Sequence, residues 1–331
     1  MKKHQAVSGE VHDLLAKVGL KGVSPLVLAL LVALAIPPLF IRDEFILRLF
    51  LIALYFGAQA MVFDFSAGLI NVVNFGFAAF IGLGGYTSAL MVINLGVSPW
   101  IGMVCGAVVA MVFGLLVGLL TLRLRGIYAS VMTWFLALGL MTATAATPDL
   151  TRGYWGLNVP PLLDTYDTLP YYYILLPMVI VMYVVLSKVA HSYIGLAFRG
   201  IGQNMLAARA SGVNPAKYRV MNFTLACAFA GLLGGFYAHF IGILTPAIMD
   251  TGHTMEVLTM SYVGGKGSLW GGIIAALLFI PTFEYMKSLM ELRLIIYGGI
   301  LVLVMVFWPG GIAAAIRVIS ERRRRKAGSE G

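Results

Sequence analysis

Apolar residues in this chain come in runs of about twenty, the length that carries a helix across the hydrocarbon of a bilayer. The clear runs fall near 24–41, 45–63, 67–94, 100–121, 127–147, 171–188, 219–244 and 291–309, with weaker ones near 253–265 and 271–289. The pattern predicts an all-α polytopic membrane protein with about ten transmembrane helices filling residues 24–309. The run at 253–265 is short for a crossing and ends in glycines, so a broken or re-entrant segment is expected there.

The polar intervals set an orientation. Lys2, Lys3, Lys17 and Lys21 precede the first run, and Arg123 and Arg125 follow the fourth. Lys188, Arg199, Arg209, Lys217 and Arg219 occupy the interval after the sixth, and Arg317 and "RRRRK" follow the last. The opposite intervals hold Asp43, Glu44, Asp149, Asp164, Asp167 and Asp250. With ten crossings the four basic regions share one side, which the positive-inside tendency makes cytoplasmic. Residues 1–23 and 310–331 are thus expected as cytoplasmic tails. The first segment is too polar and too long for a cleaved signal peptide, so the first span is expected to remain.

Composition agrees and narrows the function classes. Of 331 residues 60% are hydrophobic and 11% charged, against about 25% charged in soluble domains. The excess of apolar side chains excludes a single soluble core. A net charge of +9 reads as topology plus attraction to anionic lipid headgroups, with no nucleic-acid partner expected.

Chemistry is scarce. "SYVGGKGSLWGG" (Ser261–Gly272) looks like a phosphate cradle, but its spacing fails. Gly267 follows Lys266 where a nucleotide loop needs Ser or Thr, and Met260 stands where the first glycine belongs. The chain holds no metal-spaced Cys/His cluster and no nucleophile elbow. Cys105 and Cys227 lie in apolar runs and read as packing residues. His239 reads as a satisfied core residue. Arg48 either pairs with the nearby loop acids or snorkels outward. Glu284, Lys287 and Glu291 suggest a local ion pair.

The polar residues of "DFSAGLINVVNFG" are costlier to explain, since such groups in lipid face a cavity or a partner. Asn71 and Asn74, three apart, would share one face of a helix, either lining a solute path or bonding a neighbouring helix. Glycines at helical spacing in "GFAAFIGLGG" and "ACAFAGLLGG" suit close helix contact.

Between the sixth and seventh runs, "QNMLAARASG" has Gln203 or Asn204 as an N-cap, a helix-forming run, and Gly212 as its stop. Asn214-Pro215 then launches the next span. A short basic helix results, either lying on the membrane surface or docking a cytoplasmic partner.

"LAARASG" resembles the coupling-helix motif of ABC permeases, through Ala207, Ala208 and Gly212. The chain as a whole is similar to the LivM-type permeases of branched-chain amino acid importers. The resemblance runs in order through "GLINVVNFGFAAFIGLGGYTSAL", "LRLRGIYASVMT", "TRGYWGL", "IGLAFRGIGQNMLAARASGVNPAKYRV", "FAGLLGGFYA" and "VGGKGSLWGG". It departs at Asn74-Phe75-Gly76-Phe77, where the family has Ser-Leu-Gly-His, and at Gly200–Met205, where the family segment carries more charge.

The resemblance implies one permease subunit of an ATP-driven importer in a bacterial cytoplasmic membrane. It would work with a second related permease, two cytoplasmic ABC ATPases and an external solute-binding protein. ATP and Mg²⁺ would sit on the ATPase partners, with no cofactor on this chain and no catalysis by it. Arg199, Ala207, Ala208 and Gly212 would serve coupling, within a loop at 189–218. Asn71, Asn74, Gly76, Gly264, Gly265 and Gly267 would line the path. The implied solute is a branched-chain amino acid, with other amino acids, urea or amides, sugars and nucleosides as alternatives. A secondary transporter remains the rival class.

Overall fold

A computed structural model of the protein describes residues 25–41, 43–124, 126–163, 165, 167–285, 292–307 and 310–314. The N-terminal tail, Arg125, Asp164, Lys287, Glu291 and the basic C-terminal tail lie outside the described residues.

The first predicted span is two short helices, α1 (Pro25–Ala33) and α2 (Pro37–Phe40). Proline lacks a backbone N–H and clashes with the preceding turn, so Pro37-Pro38 interrupts the run. The carbonyls freed at the break are used: the Tyr172 hydroxyl donates to Leu34 O at 2.8 Å and the Tyr173 hydroxyl to Ala35 O at 3.0 Å.

Next come α3 (Glu44–Ile70), α4 (Phe77–Leu95), α5 (Pro99–Thr121), α6 (Ile127–Ala145) and the single turn α7 (Pro148–Thr151). A two-residue strand β1 (Leu157–Asn158) precedes α8 (Thr168–His191), α9 (Tyr193–Gln203) and α10 (Met205–Ala210). The chain continues through α11 (Pro215–Ile241), β2 (Ile243–Leu244), α12 (Thr251–Gly264), α13 (Gly271–Tyr285) and α14 (Leu292–Phe307). Among the described residues six helices, α3, α4, α5, α6, α8 and α11, are long and apolar enough to cross a membrane. The 14 residues of α12 match the short segment expected at 253–265.

One predicted boundary moves. Sequence windows ended a span at 63 and began the next at 67, whereas α3 runs unbroken to Ile70 and the gap falls at 71–76. Asp64 and Ser66 resemble a polar interval only until their surroundings are known. Both are buried on α3.

The core is α11 packed against α3, α4 and α5, and it is glycine that lets these helices approach. A Cβ at Gly84 would strike the backbone of Gly231, and one at Gly234 the carbonyl of Ile81. In lipid such close backbone packing replaces the hydrophobic drive available in water. Cys227 sits fully buried in this seam against Gly114, a packing residue as expected. His239 is also satisfied: its ring nitrogens lie 2.8 Å from Ser88 Oγ and 2.7 Å from Pro160 O.

One end of the bundle collects the 71–76 gap, the turn after α5, α9, α10 and the loop after α12. The other collects the 146–167 loop and the stretch after α11, tied by the antiparallel pairing of Leu157 with Leu244. The described residues, otherwise mostly helical, thus carry one strand pair.

Candidate translocation path and coupling segment

The loop after α12 answers the question its glycines raise. Gly264 abuts Gly271 so closely that a Cβ on either would meet the other's backbone. Gly265 and Gly267 have φ of 114° and 76°, conformations that L side chains rarely adopt. Leu269 shares this region at φ 63°.

The loop's backbone N–H groups do converge on an anion, and the anion is Asp64. Gly267 N donates to Asp64 Oδ1 at 2.7 Å and Leu269 N to Oδ2 at 2.8 Å. Asp64 is only 1% exposed, and a buried carboxylate is tolerated when backbone N–H groups hold it in this way. Gly68, one turn further along α3, has no space for a side chain between that carboxylate and Gly267. Lys266 reaches back to donate to Asn71 Oδ1 and stands 5.7 Å from the centre of the Tyr262 ring.

Asn71 and Asn74 do not share a helix face, contrary to expectation. Asn71 ends α3 in the left-handed conformation, φ 63°, which asparagine accepts more readily than most residues. Asn74 is buried, and its Oδ1 accepts from Gly76 N at 3.0 Å. This local turn occupies the side chain as an Asx motif does. Gly76 presses on the carbonyl of Thr133 in α6. The gap therefore joins α3, α6 and the loop after α12 at one level of the bundle.

The interval between α8 and α11 is two capped helices. Ser192 caps α9 by accepting from Ile194 N at 3.2 Å, an element the sequence reading left out. Asn204 caps α10, accepting from Leu206 N and Ala207 N at 3.0 Å each, as expected. Gly212 follows at φ 83° as the expected stop. Asn214 then caps α11, accepting from Ala216 N at 3.1 Å.

On this hairpin Arg199 and Ala207 are exposed, and Ala208 is buried. The buried face of α9 is what ties the hairpin to the end of α3. Phe198 meets Phe65 of α3 edge to face, with centroids 5.8 Å apart. Gly202 lies on the carbonyl of Leu69 and the backbone of Ile70, where no side chain fits.

Several cavities open on this end. One of about 210 Å³ brings together Gly68, Asn71, Arg199, Gly202, Gln203 and Lys266. A second, of about 320 Å³, lies between the 71–76 gap, α6 and α9. Another, of about 750 Å³, lies between α10 and the turn after α5, lined by Leu122, Met205, Arg209, Gly212 and Arg219 among others. The structure thus groups Asn71, Gly264, Gly265, Gly267 and Arg199 within one neighbourhood, with Ala207, Ala208 and Gly212 on the adjoining α10 turn. Sequence reasoning missed Asp64, Gly68 and Gly202 as the residues that hold it together.

Such an arrangement defines a polytopic helical membrane protein with a broken, glycine-joined segment and a capped hairpin at one end. Residues 45–305 match the family described as "Branched-chain amino acid transport system / permease component", and the chain belongs to it. It is 27% identical over 278 residues to the high-affinity branched-chain amino acid transport system permease protein LivM of Escherichia coli K12. That match covers 76% of this chain and 65% of LivM. It is 26% identical over 236 residues to the autoinducer 2 import system permease protein LsrC of Yersinia enterocolitica, covering 63% of each. The chain therefore spans just under two thirds of these relatives' length. No solved structure matches.

Proposed function

We propose that this chain is a membrane-spanning subunit of an ATP-driven ABC importer in a bacterial cytoplasmic membrane, and that it forms the path for a branched-chain amino acid. A second related permease, two cytoplasmic ATPases carrying ATP and Mg²⁺, and an external binding protein complete the assembly. The chain crosses the bilayer ten times with both termini inside, so the α9–α10 hairpin faces the ATPases. The observation that carries this reading is the family match across residues 45–305, joined to an exposed, doubly capped α10 where an engine could grip.

The backbone contacts suggest how force would travel. ATP binding favours one arrangement of the ATPases, and the permease responds only if its two states contact them differently. Movement of α10 would pass through α9 to the last turn of α3 at Gly202. From there it would reach the glycine loop through Gly68 and Asp64. Arg199, Ala207, Ala208 and Gly212 serve the grip; Asn71, Asn74, Gly76 and the loop glycines border the path.

A second substrate reading rests on a specific observation: one relative is a permease for autoinducer 2 import. The rival class, a secondary transporter, finds less support, because the acid most deeply set in this region, Asp64, is already bonded by loop N–H groups. Purification from native membranes tests the assembly and should recover an ATPase with the chain. Recovery as a lone homo-oligomer with ion-driven uptake would refute it. Gly212→Pro should abolish uptake while the protein still inserts, and normal uptake by that variant would remove the coupling role from α10.

A further inference from the structure

The 71–76 gap does not lie flat across the end of α3. Phe77, at the head of α4, meets Phe63 edge to face with ring centroids 5.5 Å apart. Phe63 stands about two turns before the end of α3, so the gap climbs back alongside that helix. Within it Val72 and Val73 belong to no helix or strand, and they make no backbone hydrogen bond among the described residues. In a bilayer such backbone is tolerated where it is covered by protein or borders a water-filled space. Here it borders the cavity of about 320 Å³.

Three polar side chains on the wall of that cavity have hydrogen-bonding capacity to spare. Ser130 of α6 is only 7% exposed, yet its hydroxyl has no partner among the described residues. Asn71 gives its Oδ1 to Lys266 and keeps its amide N–H groups. Arg219, near the start of α11, is half-buried and has no ion pair among the described residues. No described Asp or Glu lines the cavity. A half-buried cation without a counter-ion is costly to hold, and the planar fork of a guanidinium matches a carboxylate with two hydrogen bonds. The remaining wall is apolar, with Val72, Val73, Ile127 and Ile201.

We propose that this cavity is an exit site on the cytoplasmic side of the path, which binds the amino acid as it leaves. Arg219 takes the carboxylate, with Asn71 and Ser130 beside it. The unpaired carbonyls of Val72 and Val73 accept from the ammonium group, and the apolar wall takes the aliphatic side chain. This rests on the importer reading and adds to it a solute site within the chain itself. Gly202 of α9 and Met205 of α10 line the same space, so an occupant sits between the coupling hairpin and the end of α3.

The test is equilibrium binding of radiolabelled leucine to the purified whole importer, with the external binding protein left out. The parent should bind leucine saturably. Leucinamide, which lacks the carboxylate, should compete at least tenfold less well than leucine. Arg219→Gln should weaken binding roughly tenfold or more, the worth of a charge-assisted hydrogen bond. Ser130→Ala should weaken it about threefold, the worth of a neutral one. Ser130→Ala removes only an unpaired hydroxyl, so the importer should still assemble, and this variant decides the matter if Arg219→Gln does not.

Parental affinity in either assembled variant would overturn the site, and so would equal competition by leucinamide. Absence of saturable binding to a parent importer that takes up leucine on ATP would overturn it too, and leave the importer reading intact. A parent that assembles without ATP-driven leucine uptake would instead refute the substrate reading on which the site rests.

Discussion

The two polar clusters on α3 are built in opposite ways. Around Asp64 both carboxylate oxygens are bonded and glycines bring backbone against backbone. Around Tyr55 and Gln59, nine and five residues earlier on the same helix, a buried hydroxyl and a buried amide nitrogen have no hydrogen-bond partner among the described residues. A satisfied cluster is a joint, whereas buried polar atoms without partners add little to hold the helices together. The two should therefore respond differently to substitution, with the larger loss of stability at the first.

The largest effect is expected at Asp64. Asp64→Leu leaves two buried N–H groups without an acceptor, at about 1–3 kcal/mol each. Thermal unfolding in detergent should fall sharply and uptake should vanish. An unchanged melting temperature would break the contrast at its root.

Next comes Gly68→Ala, whose methyl group must enter the space between Asp64 and Gly267. Overpacking of this kind costs about 1–3 kcal/mol. Gly202→Ala, against the Leu69 carbonyl, should destabilise similarly, and in addition it should lower the uptake obtained per ATP hydrolysed. Comparing uptake with hydrolysis in the same vesicles separates that loss from simple instability.

Gly212→Ala is smaller again. Nothing lies within 4 Å of the added carbon, so only the left-handed backbone at φ 83° resists it, at roughly 1 kcal/mol. Smallest of all is Asn71→Gly. It keeps the left-handed end of α3 and loses one exposed bond from Lys266, a change within about 0.5 kcal/mol. A larger loss, read from the same melting curves, would show the Lys266 contact to be part of the joint.

Much of this was legible beforehand, and the rest for definite reasons was not. Run length predicted the six long apolar helices among the described residues, and the caps of α10 and α11 were visible as Asn204, Gly212, Asn214 and Pro215, because capping is decided within a few residues. Asp64 was visible as a costly polar residue but not as an anchor. Its partners, Gly267 and Leu269, lie some two hundred positions away, and no local pattern reports that. Asn71 and Asn74 misled by their spacing. A three-residue interval fits a helix face, and it fits equally well the end of one helix and the turn that follows. A hint was available in Asn74-Phe75-Gly76, since asparagine followed by glycine favours turns. The α9 helix was not legible because Gly195, Gly200 and Gly202 weaken its helix propensity, although Ser192 stands as its N-cap twelve residues ahead of Asn204.

The short pairing of Leu157 with Leu244 constrains any change to that end of the bundle. Leu157 and Val159 are buried with Tyr86 and Met249, while Asn158 between them points outward. Deleting one residue just before this ribbon would swap inside for outside along it. The ceiling over Ile243 and Leu244 would then shift too. Trimming an outwardly innocuous surface loop would remodel the interior it roofs.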